Sequence, residues 1–113
     1  MTPSLLFKCL SEEIRLNATL LIYRESELCV CELVDVLGQS QPKISRHLAQ
    51  LRNCGVLTDR RQEQWVFYAI NTKLPAWALA ILDDTCRANP DNLAKLQSSL
   101  SSMKHRPPRC RAC

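Results

Sequence analysis

No segment of this sequence is long and apolar enough to cross a bilayer. The longest uncharged apolar run is LPAWALAIL, Leu74 to Leu82, against the roughly 20 residues a spanning helix needs. The opening stretch, MTPSLLFKCLSEEIR, has no charged leader followed by a long apolar core, so no secretory signal is expected and the chain is assigned to the cytoplasm. No Ser-His-Asp or Cys-His constellation supports nucleophilic catalysis, and the enzyme reading is set aside. Internal repeats are absent. What remains is 113 residues, 46% hydrophobic and 23% charged, the size of one globular domain.

Cysteine is plentiful. There are seven, an odd number that argues against a complete disulfide framework and makes metal, metalloid or redox chemistry the idea to test. Charge is unevenly placed: residues 1–38 carry a net −3, residues 39–64 a net +3, and the remainder +4. A basic middle beside an acidic start suits a surface aimed at a polyanion.

Apolar spacing predicts a short helix over 4–10 and a second from Ser11, its expected N-cap, with Ile14, Ala18, Leu21 and Ile22 on one face. CELVDVLG reads as a short helix closed by Gly38. Ser40 opens a further helix, about Gln41 to Asn53, with Pro42 tolerated in its first turn and Ile44, Leu48 and Leu51 in one stripe. Val56 to Arg60 and Trp65 to Ile70 are β-rich runs around a polar RRQEQ, a hairpin pattern without the Asn-Gly of the tightest turns. Helices are expected again from Pro75 and, after an Asn89 cap, from Pro90, with Leu93, Leu96, Leu100 and Met103 aligned. KHRPPRCRAC has too little apolar content to pack, giving a domain over 1–103 and a flexible cysteine-containing tail over 104–113.

Helix, tight turn, helix and hairpin make a mainly α winged helix-turn-helix. The first residues of its second helix, Gln41, Lys43, Ser45 and Arg46, would face base edges and phosphates, with Arg60 and Arg61 expected at the hairpin tip.

The stretch ELCVCEL, residues 27–33, raises a separate question. In an α-helix, residues two apart point about 200° away from one another, so Cys29 and Cys31 can share a ligand only where the backbone is extended, turned or unwound. An ion that needs both sulfurs would then stabilise a non-helical start and loosen the helix bracing the recognition helix. Thiolates suit As(III), Sb(III), Cd(II) or Pb(II). Cys9 and Cys86 fit apolar helix faces.

LFKCLSEEIRLNATLLI, ELCVCEL, LGQSQPKISRHLAQLRNCGVL and DRRQEQWVFYAIN together resemble the ArsR/SmtB family of metal-responsive repressors, in its arsenic-sensing branch, from about Leu5 to Leu82. The resemblance implies a homodimer joined by its first and last helices, bound to a palindromic operator and released when As(III) or Sb(III) binds cysteine. It further implies that Ser40, Gln41, Lys43, Ser45, Arg46 and His47 face DNA; the alternative for His47 is a hydrogen bond within the fold. The family's arsenic site commonly reads C-V-C-x-x-C, whereas Val34 occupies the third position here. Either Cys29 and Cys31 act with a third ligand from solvent or a small thiol, or Cys54, Cys9, Cys110 or Cys113 completes the set. No histidine lies between Pro75 and Met103, against the histidine-bearing zinc site of a sister branch. A Cd/Pb-responsive or thiol-redox-responsive repressor of the same fold is the competing reading. The terminal CRAC is by itself a weak zinc or redox signal.

Overall fold

The computed structural model describes residues 1–109. Six helices surround a small antiparallel sheet: α1 Pro3–Leu10, α2 Glu13–Glu25, β1 Glu27–Cys29, α3 Val30–Leu37, α4 Gln41–Asn53, β2 Leu57–Gln62, β3 Trp65–Ile70, α5 Ala76–Ala88 and α6 Pro90–Ser101. No helix among the described residues is long and apolar enough to cross a membrane. The expected winged helix-turn-helix is present. Its wing is a three-stranded sheet in the order β1-β3-β2, because the residues just before α3 form a short strand that pairs Cys29 with Phe67.

Local chemistry accounts for the helix ends. Ser11 does not start α2; it ends α1, its hydroxyl donating to the Lys8 carbonyl at 2.8 Å. Glu12 caps α2 instead, its carboxylate accepting from the Arg15 amide at 3.2 Å, where a negative group meets the positive helix end. Gly38 takes φ +63° at the end of α3, a left-handed turn that glycine enters without steric cost. Ser40 then caps α4 by accepting from the Lys43 amide.

The stripe Ile44, Leu48 and Leu51 is fully buried in the core that α4 shares with α2, α3 and β2, which fixes the roll of α4 and leaves its opposite face to solvent. Arg15 adds a polar tie from α2 to α4. Its guanidinium donates to the Cys9 carbonyl at 2.7 Å and the Gln50 side chain at 2.8 Å, and meets His47 Nδ1 at 3.2 Å.

The wing turns in two residues, Glu63 and Gln64, between the paired Gln62 and Trp65. Arg60 and Arg61 are therefore strand residues opposite Phe67 and Val66 and not tip residues. The strand runs on through the polar DRRQ because β3 offers it a continuous apolar partner.

Residues after α6 turn back across the wing. Gln62 donates to the Pro108 carbonyl at 2.7 Å, Pro107 is buried, and Arg106 and Arg109 both reach Glu32. The expectation of an unpacked tail counted apolar residues and missed these ion pairs. The part of that tail holding Cys110 and Cys113 lies outside the described residues.

Candidate functional site

Cys29 is the last residue of β1 and the N-cap of α3, with φ −90° and ψ 164°, while Cys31 is the second residue of the helix. This change of backbone at one residue turns both side chains the same way, and their sulfurs stand 2.6 Å apart. The extended start is held by strand pairing to Phe67, and α3 stays helical from Val30 while the thiols converge. Cys29 is buried and Cys31 exposed. Burial, reinforced by the hydrogen bond to Cys31, pushes the Cys29 thiol up to about 12.

Glu32, the next residue, has no exposed surface. Its Oε1 accepts from the Cys29 backbone N–H at 2.9 Å and from Arg109, and its Oε2 accepts from Arg106. Burial alone would raise its pKa, but the hydrogen bonds from Arg109, the Cys29 amide and Arg106 outweigh it and hold the carboxyl below its ordinary value. Sequence reading passed over Glu32. The available signal was its position: three residues after an N-cap is where a glutamate reaches back to the cap amide.

A second acid–arginine pair stands beside it. Glu27 receives two hydrogen bonds from Arg60, at 2.8 and 2.6 Å, and these hold its carboxyl below the usual range against the opposing effect of burial. The guanidiniums of Arg60 and Arg109 each lie 4.7 Å from the centroid of Phe67, a cation–π arrangement. Arg60 is therefore engaged within the wing.

The other cysteines are elsewhere. Cys9 and Cys54 are paired sulfur to sulfur with Cα atoms 7.0 Å apart, joining α1 to the end of α4. Cys54 lines a different cavity, with Asn71, Leu74 and Trp77. Cys86 is buried, its thiol directed at the Leu20 carbonyl. Among the described residues, no group of three His, Cys, Asp or Glu side chains could hold a metal ion.

The helix face expected to read DNA has a mixed geometry. Ser40, Gln41 and Arg46 are exposed, and Lys43 and Ser45 are half-buried. His47 turns toward α2, its side chain 14% exposed, with Nε2 3.8 Å from Glu12 and Nδ1 at Arg15. Arg46 and Arg61 have no carboxylate partner among the described residues, so both are available to an anion. A cavity of about 520 Å³ runs from Cys29 and Cys31 to Gln41 and Ser45 on α4 and to Gln64 and Trp65 at the wing turn. The thiol pair, α4 and the wing turn thus border one space.

The family model described as "Bacterial regulatory protein, arsR family" matches residues 12–59, from the start of α2 into the first half of β2. The chain is 53% identical over 113 residues to the arsenic resistance transcriptional regulator ArsR2 of Pseudomonas putida, an alignment covering all of this chain and 98% of that protein. This chain belongs to the ArsR family. It is also 46% identical over 101 residues to the arsenical resistance operon repressor of Escherichia coli, covering 89% of this chain and 86% of that one. Among solved structures, HlyU from Vibrio cholerae superposes with a TM-score of 0.69 at 31% identity, covering 78% of this chain and 91% of that chain. The chain is accordingly a transcriptional regulator of the ArsR family and not an enzyme.

Proposed function

We propose that this regulator represses transcription as a homodimer on a palindromic operator and is released when trivalent arsenic or antimony binds Cys29 and Cys31. The observation that carries the reading is the meeting of the two sulfurs, 2.6 Å apart, at the rim of a cavity shared with α4 and the wing. Relatives named for arsenic resistance give the ligand class its support.

Cys29 is fixed by strand pairing and by burial, so movement on metalloid binding passes to Cys31 and α3, which packs directly on α4. Release requires the metalloid to bind the DNA-incompetent form more tightly; a coupling of about 3 kcal/mol weakens operator binding roughly 150-fold.

Ser40, Gln41, Lys43, Ser45, Arg46 and Arg61 are the proposed DNA contacts. His47 and Arg60 act from behind, the first tying α4 to Arg15 and the second bracing the wing. Exposed apolar side chains, Leu5 and Phe7 on α1 and Trp77 on α5, fit a second copy of the chain, whereas the leucines of α6 face the core.

Anisotropy of a labelled duplex from the protein's own promoter tests the reading. Arsenite should free wild type and leave the Cys29→Ser/Cys31→Ser variant bound; equal release of both would move the sensing sulfurs elsewhere.

A further inference from the structure

Pro107 and Pro108 stiffen the segment that follows α6. Their rings fix φ near −65°, and each restricts the residue before it to extended backbone. Neither has an N–H, so the segment offers carbonyls to its surroundings and does not join the sheet. Pro108 accepts from the Gln62 side chain at 2.7 Å, and Pro107 accepts from the Arg109 guanidinium at 2.8 Å. Arg106 and Arg109 close on the buried Glu32 carboxylate. Arg109 also donates to the Glu27 carbonyl at 3.1 Å and lies over the ring of Phe67, which is only 1% exposed. A segment this stiff loses little freedom on docking, so a few charge-assisted hydrogen bonds hold it in one place.

The near end of the segment is held as well. Met103 packs on the core and borders the space between Gln41 and Ser45 of α4 and Gln64 of the wing turn. Only Lys104 and His105 separate it from Arg106, and both are exposed. Neither has a carboxylate partner among the described residues. Consecutive Cα atoms are about 3.8 Å apart, so Lys104 stands beside the gap between α4 and the wing. Arg46 and Arg61, also without carboxylate partners, lie on the two elements that flank this gap.

We infer that residues 104–109 form a third DNA-contacting element, a strap docked on Glu32 and the wing that presents Lys104 to the phosphate backbone between α4 and the wing turn. This rests on operator binding as proposed above. The lysine ammonium is a compact point charge that holds phosphate without reading bases, and His105 places a ring N–H donor next to it. Arg106 and Arg109 are positioning residues. Their guanidiniums are engaged by Glu32, and they act on DNA only by fixing where Lys104 stands.

Anisotropy of the labelled promoter duplex, titrated with the full chain over a series of salt concentrations without metalloid, tests this. Each lost phosphate contact lowers the slope of log affinity against log salt by about 0.9. Lys104→Ala should lower it by that amount for each protomer bound, and should weaken binding to promoter and scrambled duplexes by the same factor. Lys73→Ala, which removes the same charge beside Met1 and Trp77, should leave the slope at its wild-type value. In Arg106→Gln and Arg109→Gln backgrounds, each checked for folding by operator binding, the strap is loosened and Lys104→Ala should change the slope clearly less. An unchanged slope in Lys104→Ala, or an equal fall in Lys73→Ala, overturns the inference and leaves the operator reading standing. An undiminished effect of Lys104→Ala in the loosened backgrounds overturns the strap as its cause. Wild type that binds the promoter duplex no better than the scrambled one overturns the operator reading, and this inference with it.

Discussion

The buried carboxylate of Glu32 accepts the backbone N–H of Cys29, so the last strand residue and the first turn of α3 are fixed by one side chain. Arg106 and Arg109 close on the same carboxylate from the far end of the sequence. Removing it strands a buried amide and two arginines that lie about a quarter to a third exposed. Glu32→Ala should therefore cost about 2–3 kcal/mol in urea unfolding. A loss under about 0.5 kcal/mol would show that the hub contributes little.

Acid stability follows from the same corner of the molecule. The Glu27 carboxyl is held below its ordinary value by Arg60. A depressed folded pKa contributes stability above the unfolded value, and that contribution is lost as pH falls through the folded one. Wild type should thus lose more stability than Glu27→Gln as pH drops from about 5 to about 3. Parallel curves of urea midpoint against pH would contradict this.

Arginines near the wing should divide into two kinds. Arg46→Ala and Arg61→Ala should weaken operator binding and each lower the salt-dependence slope by about 1, as expected for a lost phosphate contact. Arg60→Ala should instead cost about 1 kcal/mol of stability, discounted for its partial exposure, with an unchanged slope. If Arg60→Ala alone flattens the slope, its pairing with Glu27 opens on DNA.

Val34 borders the thiol pair from the next turn of α3. Val34→Cys should supply a third sulfur and slow arsenite release to dithiothreitol by about tenfold or more. It should do so with little change in operator affinity measured without metalloid. An unchanged release rate would mean that position 34 does not reach the bound ion.

Gly38 sits at φ +63° with open space where a Cβ would go. Gly38→Ala should therefore cost only the backbone term, about 1 kcal/mol, in thermal or urea unfolding. A neutral result would show that the α3–α4 turn relaxes.

The parts of the fold written in local pattern were legible. The range Gln41–Asn53 with its Ser40 cap, the Gly38 stop and the Pro90 start all match the structure, because apolar spacing and cap chemistry act within a few residues. Long-range pairing was not legible. β1 is three residues long and exists because β3 lies beside it. Arg60 looked like a free cation until the sheet brought Glu27 to it, across 33 residues. Arg106 and Arg109 looked like solvated tail until they met a carboxylate more than 70 residues earlier. For the site, the oddity of two cysteines in ELCVCEL marked the place. The cavity linking them to Gln41 and Ser45 follows from packing α3, α4 and the wing together, which no single segment encodes.

The distance along the chain between Glu32 and Arg109, 77 residues, has a consequence for how the protein is made. Synthesis proceeds from the N-terminus at about 5–20 residues per second, so the helices around the recognition element and the wing emerge before the arginines that neutralise Glu32. Through that interval the carboxylate at the foot of α3 has only the Cys29 amide and solvent to satisfy it. The thiol corner thus acquires its finished form late in synthesis, and a transcript cut short near its 3′ end would yield a chain that carries α4 and the wing without the arginines that close on Glu32.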